Sequence, residues 1–137
     1  MATHLIDKSA WVRLYDHGVD AKWPATMASG GLAITGMSMI EVLVGSHNTP
    51  EFQRDRLDLD ALPRRALTEQ IIDRALEIQG LMVARGTHRA PSPADLILAA
   101  CAEQNGLTVL HYDKDFDLIA EASGQPTQWL APAGTLQ

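Results

Sequence analysis

The sequence predicts an α/β fold with a mostly parallel central sheet and helices on both of its faces. Short apolar segments alternate along the chain with longer segments whose apolar residues recur at helical spacing. Neighbouring parallel strands need crossover connections, which helices usually supply. The 137 residues can bury a sizeable core, and no repeat or linker divides them. We therefore expect a single domain over residues 1–137.

In the N-terminal half, short apolar runs indicate the strands, and glycine or proline indicates the helix ends. Gly18 and Gly45 each follow a helical segment, where glycine favours termination, and Pro24 suits a first turn. Ser38 is predicted to cap a helix, with Glu41 three residues later. The predicted elements are a strand at 3–6, helices at 9–17 and 23–29, a strand at 31–35 and a helix at 38–44, followed by a loop at 47–50.

The C-terminal half has clearer helix boundaries. Thr68 precedes a long segment whose apolar residues, from Ile71 onwards, recur at steps of four, three and four. Ser92 has the character of a second N-cap, and Gly106 lies just beyond that helix. The predicted elements are a helix at 51–62, a strand at 64–67, helices at 69–85 and 92–105 with a loop at 86–91 between them, a strand at 107–110, a helix at 116–122 and a strand at 127–130.

Composition disfavours several classes of protein. Seventeen acidic residues against eleven basic ones give a net charge of −6, unlike a general electrostatic nucleic-acid binder but compatible with an acidic metal site. The single cysteine, Cys101, excludes an intramolecular disulfide framework and a cysteine-rich zinc site. The N-terminal residues lack a signal-peptide pattern, and the longest apolar run has only seven residues. We expect a cytoplasmic protein without a membrane segment.

Six acidic residues fall where the carboxyl ends of the predicted strands meet, the edge at which such folds bind ligands. They follow the strands directly or lie in the first turns of the adjoining helices, and they are Asp7, Glu41, Asp95, Asp113, Asp115 and Asp117. Converging carboxylates repel one another and raise each other's pKa. A hard divalent cation such as Mg²⁺, which prefers oxygen ligands, relieves that repulsion. The pattern therefore indicates a metal site.

Two of these acids have an alternative role as helix caps. Glu41 and Asp95 each follow a serine by three residues, as the acid of a capping box does. For Asp113, Asp115 and Asp117, the alternative interpretation is an acidic turn that is exposed to solvent and binds no metal. Because a carboxylate has two oxygens, capping and metal binding are compatible in one residue.

The acids lie in four segments, at residues 5–10, 38–42, 93–100 and 112–117. In order and spacing, these segments resemble a PIN domain, and within that family they are most similar to the VapC toxins of bacterial type II toxin–antitoxin modules. The resemblance covers nearly the whole chain. It implies a PIN-like three-layer α/β/α sandwich.

The resemblance also implies a function. It is that of an endoribonuclease toxin, dependent on Mg²⁺ or Mn²⁺, which hydrolyses RNA phosphodiester bonds by metal-activated water. Asp115 is a candidate further ligand, and Ser9 and Asp117 have supporting positions; Ser9 matches a small hydroxyl residue of the family. The catalytic and metal-binding acids that carry over by position are Asp7, Glu41, Asp95 and Asp113.

The implied partners are an RNA substrate, a cognate VapB-type antitoxin and a second copy of the chain in a homodimer. In this hypothesis Glu41 ligates the metal or positions the attacking water, and one or two ions bind. The seven arginines between residues 54 and 89, together with Lys114, are candidates for contacts with RNA phosphates. One departure from the family is visible: where some relatives have Ser or Thr before the fourth acid, this chain has His111 and Tyr112.

The main alternative is a non-catalytic PIN-like domain that binds RNA or protein and keeps its acids for folding. Cleavage assays with and without metal distinguish the two. A phosphatase of the haloacid-dehalogenase type would need a second Asp two residues after Asp7, where this chain has Ser9. A receiver-type domain would need an Asp at the end of a central strand, where this chain has Thr35 and Gly36.

Overall fold

A computed structural model describes residues 1–136 and contains one five-stranded sheet. Its spatial order is β3-β2-β1-β4-β5, and each neighbouring pair of strands is parallel. The first strand therefore lies in the centre, between the second and the fourth. The strands are β1 (His4–Ile6), β2 (Leu32–Thr35), β3 (Arg64–Arg65), β4 (Thr108–His111) and β5 (Thr127–Trp129).

Helices cover both faces of this sheet, which confirms the predicted three-layer sandwich. The first four pack on one face and the last three on the other. Among residues 1–136, no helix has both the length and the apolar character required to cross a lipid bilayer. The helices are α1 (Lys8–Trp11), α2 (Lys22–Ala28), α3 (Gly36–Leu43), α4 (Thr49–Asp60), α5 (Glu69–Arg85), α6 (Pro93–Gln104) and α7 (Asp115–Ser123).

The core consists of two apolar layers that the sheet separates. Successive side chains of a strand point to opposite faces, so Leu5 and Val109 contact the layer beneath α5–α7, while Ile6 and Leu110 contact the layer beneath α1–α4. All four side chains are completely buried. Each such burial contributes roughly 1.5–3 kcal/mol to folding, which fixes the position of the strand ends and of the residues that follow them.

The prediction of a helix at residues 9–17 is wrong in extent. The α-helix ends at Trp11, and the backbone N–H groups of Arg13, Leu14 and Asp16 donate to the carbonyl three residues earlier. The chain thus continues in tighter turns. Leu14 of this segment is nevertheless buried in the core.

The prediction that Ser38 caps a helix is also wrong. Thr35 is the N-cap, and its hydroxyl oxygen accepts a hydrogen bond from the Ser38 N–H at 3.1 Å. The helix therefore begins at Gly36, two residues earlier than predicted. As a result Glu41 lies in the second turn and has no capping role.

The remaining boundaries differ from the predictions by a few residues. Asn48 caps α4, so the predicted loop at 47–50 ends at Asn48, and Pro50 lies in the first turn of the helix. Strand β4 extends to His111, one residue beyond the prediction. Thr68 and Ser92 cap α5 and α6 as predicted.

Candidate metal and active site

The acidic residues meet because of the topology of the sheet. Asp7 directly follows the central strand β1, and Asp113 follows β4, which lies beside it. Helix α6 leads into β4 and therefore begins at the same edge of the sheet, so that Asp95 lies in its first turn there. Two neighbouring parallel strands and the start of one helix thus bring together residues that are far apart in sequence.

Three carboxylates form a compact group at this edge. One oxygen from each of Asp95, Asp113 and Asp115 lies within 4.8 Å of the others, and all three residues are half-buried. The Asp113 Oδ1 atom accepts a hydrogen bond from the Asp115 N–H at 2.9 Å, which orients the first carboxylate. Oxygen donors at this spacing match the ligands that Mg²⁺ prefers. Asp115, predicted as a further ligand, lies in this group.

Asp7, whose charge acts on Asp95 of this group, is buried and held by several hydrogen bonds. Its Oδ2 atom accepts hydrogen bonds from the Ser9 N–H at 3.0 Å and the Ser9 hydroxyl at 2.6 Å, which makes Asp7 the N-cap of α1. The Asp7 N–H donates to the Leu110 carbonyl of β4 at 2.9 Å. The Ser9 hydroxyl oxygen also accepts from the Tyr112 N–H at 2.9 Å. Ser9 thus joins the segments that contain Asp7 and Asp113.

Electrostatic coupling links Asp95 to the other acids. Burial raises the pKa of Asp95 to about 6, and the charges of Asp7 and Asp113 add to this increase. The Ser92 N–H, which donates to Asp95 Oδ2 at 3.0 Å in the capping box, opposes the increase in pKa. Asp95 therefore both caps its helix and faces the acidic cluster, as the sequence allowed.

Glu41 and Asp115 have pKa shifts in the same direction. Burial raises the pKa of Glu41, and the charge of Asp7 raises it further, while Lys8 lowers it. Burial and the charge of Asp113 raise the pKa of Asp115. Glu41 lies outside the compact group of three, and its charge interacts with that of Asp7.

Asp117 does not lie with the other acids. It is exposed, and its two carboxylate oxygens accept from the indole N–H of Trp129 at 3.1 and 3.3 Å. His111 is fully buried beside the site, and its Nδ1 atom accepts a hydrogen bond from the Asp113 N–H at 3.2 Å. The sequence offered one indication of this contact, because His111 and Tyr112 precede Asp113 where some relatives have Ser or Thr.

The basic residues that were candidates for RNA contacts differ in whether they form ion pairs. Four of the seven arginines between 54 and 89 form ion pairs with nearby acids in the described part of the chain; they are Arg56, Arg64, Arg74 and Arg85. By contrast, Lys8 and Lys114 are exposed and lower the pKa of Glu41 and Asp115 respectively. Lys8 was not among the residues predicted to contact RNA, although its position directly after Asp7 could have indicated a place beside the site.

Comparison with solved structures supports the fold. The DNA-bound VapBC complex of Salmonella typhimurium contains a chain that aligns with a TM-score of 0.76 at 14% sequence identity, covering 96% of this chain and all of that one. A chain of VapBC2 from Rickettsia felis, bound to a promoter DNA fragment, aligns with a TM-score of 0.70 at 12% identity, covering 93% of this chain and 98% of that one. At such identities the likeness concerns the fold alone.

Comparison of sequences gives the family. The model of the PIN domain family matches residues 4–122. Ribonuclease VapC2 of Mycobacterium tuberculosis is 47% identical over 128 residues, which cover 92% of this chain and 91% of the relative. Ribonuclease VapC51 of the same species is 41% identical over 133 residues, covering 97% and 96%. The chain therefore belongs to the PIN domain family and, within it, to the VapC proteins.

Proposed function

We propose that this protein is a metal-dependent endoribonuclease and the toxin of a type II toxin–antitoxin pair. The main support for this proposal is the compact group of carboxylates at the carboxyl edge of the sheet, formed by Asp95, Asp113 and Asp115. The curated relatives that resemble the whole chain are named ribonucleases, which supports RNA as the substrate. A purely binding domain would not need carboxylates that repel one another in half-buried positions.

The residues present fit a divalent cation. Several oxygen donors converge, and in the absence of a cation the burial and mutual repulsion of the acids raise the pKa of Asp95 to about 6. Hydrogen bonds reach Oδ2 of Asp7 and of Asp95, so each carboxylate retains a second oxygen for a ligand. Mg²⁺ or Mn²⁺ is the expected ion. The residues that would hold it are Asp7, Asp95, Asp113 and Glu41, with Asp115 as a further ligand.

In the proposed mechanism the protein supplies orientation and charge. When bound, a divalent cation offsets the negative charge that develops on the phosphate oxygens during hydrolysis. The carboxylates of Asp7 and Asp113 are oriented by the hydrogen bonds that they accept from Ser9 and from the Asp115 N–H. Glu41 positions the attacking water, and its raised pKa makes its carboxylate a better acceptor of the water's proton. Lys8 and Lys114 contact backbone phosphates and hold the RNA over the acids.

RNA cleavage by the purified protein tests this function. We expect cleavage in the presence of Mg²⁺ or Mn²⁺ and none with excess EDTA. Asp95→Asn and Asp113→Asn should lower the rate by roughly 100-fold or more, because each removes charge that acts in the transition state. Asp73→Asn, on the exposed side of α5, is the matched control and should leave the rate unchanged. Cleavage that persists in EDTA or in both site variants would overturn the proposal.

We also propose a VapB-type antitoxin and a second copy of the chain as partners. The solved structures with the same fold include VapBC complexes. This chain exposes large apolar side chains on the α1–α4 side, among them Val12, Tyr15 and Leu57, beside the acidic Asp55 and Asp58. Such a surface suits an apolar partner segment that also contains basic residues.

Two measurements test the partners separately. Tyr15→Glu should weaken capture of a co-expressed VapB-type antitoxin while leaving RNA cleavage intact, because Tyr15 is exposed and outside the acidic site. Unchanged capture would exclude this surface. Light scattering of the isolated protein at micromolar concentration should give the mass of a dimer, and a monomer would contradict the homodimer.

A further inference from the structure

His111 occupies an unusual position for an imidazole. The side chain is completely buried at the end of β4. Its ring contacts those of Phe116 and Trp129, and each of these ring centroids is 4.9 Å from that of the imidazole. Close contacts with two aromatic rings leave the imidazole little freedom to turn. The orientation of its two nitrogen atoms is therefore fixed by packing.

The one hydrogen bond of this ring within residues 1–136 is directed at the acidic site. His111 Nδ1 accepts from the Asp113 N–H at 3.2 Å, so the hydrogen of the neutral ring lies on Nε2. The Nε2 atom is buried and has no hydrogen-bond partner in the described part of the chain. An unsatisfied buried N–H costs roughly 1–3 kcal/mol. Packing alone would favour an apolar residue at this position. The hydrogen bond that Nδ1 accepts from the Asp113 N–H is the interaction that an apolar residue could not make.

Trp129, one of the two aromatic residues that contact the imidazole, is itself held by a hydrogen bond. His111 and Trp129 are register partners in the parallel pair of β4 and β5. The indole N–H of Trp129 donates to both carboxylate oxygens of Asp117 at 3.1 and 3.3 Å. Asp117 therefore restrains Trp129, and Trp129 restrains the ring of His111.

We propose that His111 is a positioning residue for Asp113 and that Asp117 acts on the same site through Trp129. The proposal rests on the proposed function, because it assumes that Asp113 binds a metal ion. The Asp113 backbone is held at its N–H by His111, and its side chain is held at Oδ1 by the Asp115 N–H. Asp117 is then a support of the site and has no part in binding the ion.

The test compares two amide variants of His111. In His111→Asn the side-chain oxygen can occupy the place of Nδ1, whereas in His111→Gln the amide reaches the place of Nε2. Glutamine is closer to histidine in volume, so a role in packing alone predicts that the glutamine variant is the better tolerated. The positioning role predicts the opposite order for metal binding. The readout is the affinity for Mn²⁺ alone, by calorimetry, with urea unfolding of each variant beside it.

We expect His111→Asn to bind Mn²⁺ within about threefold of the wild-type affinity and His111→Gln to lose about tenfold or more, as for other groups that orient metal ligands. Equal affinity in both variants, or a weaker asparagine variant, would overturn the proposal. Absence of Mn²⁺ binding in the wild-type protein would instead remove the metal site, and with it the proposed function.

A second pair of variants tests the anchor without altering His111. Trp129→Phe keeps a ring against the imidazole and removes the N–H that Asp117 accepts, and Asp117→Leu removes the acceptor. Each should weaken Mn²⁺ binding by a similar factor, and the double variant should lose no more than either alone, because both changes break one contact. Wild-type affinity in both single variants would exclude the role of Asp117.

Discussion

Among single residues, Ser9 links the carboxyl ends of β1 and β4 through its hydroxyl group. Its hydroxyl donates to Asp7 Oδ2 at 2.6 Å and accepts from the Tyr112 N–H at 2.9 Å. Replacing Ser9 with alanine leaves a half-buried N–H and a buried carboxylate with fewer partners. We expect Ser9→Ala to lower the free energy of unfolding by about 1–2 kcal/mol, measured by urea denaturation.

The control for this change is Ser29→Ala, at an exposed serine that ends α2. Its effect should stay within about 0.5 kcal/mol, as is usual for surface substitutions. Equal effects of the two substitutions would show that the hydroxyl of Ser9 does not stabilise the acidic edge.

Asp95 makes the stability of the metal-free protein depend on pH. Its pKa is raised from 3.8 to about 6 in the folded protein, so the folded state binds this proton more tightly than the unfolded chain does. The contribution of Asp95 to stability is therefore fully present below the ordinary pKa of 3.8 and is lost as the pH rises through about 6. Because the carboxyl is partly exposed, solvent screening reduces the size of this effect.

Asp95→Asn removes this titration and keeps an oxygen for the Ser92 N–H. Urea unfolding in EDTA should show the wild-type protein losing stability relative to the asparagine variant as the pH rises from about 4 to about 7. A difference between the two proteins that does not change with pH would contradict the raised pKa.

Single residues differ in how far the sequence could predict their roles. The places of Asp7, Asp95 and Asp113 follow from short-range signals, since each lies next to a strand end or a helix start. The contact between Asp117 and Trp129 joins residues from different elements, and no local pattern encodes it. The buried ring of His111 likewise depends on β5 pairing beside β4.

At the scale of elements, Gly86 ends the longest helix. It is the C-cap of α5 and has a positive φ of 72°, which alanine adopts only with strain. A Cβ atom there would meet no other atom within 4 Å, so the strain is purely conformational. We expect Gly86→Ala to lower the free energy of unfolding by about 1–2 kcal/mol, measured by urea denaturation.

Gly80 provides the matched control within the same helix. It is helical and exposed, and a Cβ atom there would also meet nothing within 4 Å. Gly80→Ala should raise the free energy of unfolding by about 0.5–1 kcal/mol, because alanine has the higher helix propensity. Effects of the same sign at both glycines would contradict the left-handed cap.

Helices with strong end signals were predicted well, and helices without them were not. Thr68 and Gly86 bound α5, and Ser92 with Asp95 forms a complete capping box on α6. In α3, two hydroxyl residues compete for the cap, and Thr35 takes it because it ends the buried strand β2. Local sequence could not decide between them, since the choice depends on where the strand ends.

For the whole molecule, the order of the strands creates the site. The central position of β1, between β2 and β4, places the residues after three strands at one edge. The sequence predicted this convergence from the alternation of strands and helices together with the general rule for parallel sheets. It could not predict which acids would form the compact group. That outcome depends on the turn after β4, which directs Asp115 toward Asp95 while Asp117 faces Trp129.

The acids at this edge of the sheet are proposed to form a divalent-metal site. Calorimetric titration of the purified protein with Mn²⁺ tests it most directly, because it requires no knowledge of the RNA target. We predict saturable binding to the wild-type protein and to Asp73→Asn, and affinity weaker by more than about tenfold in Asp113→Asn. Failure of the wild-type protein to bind Mn²⁺, or equal affinity in Asp113→Asn, would show that these acids do not form the metal site.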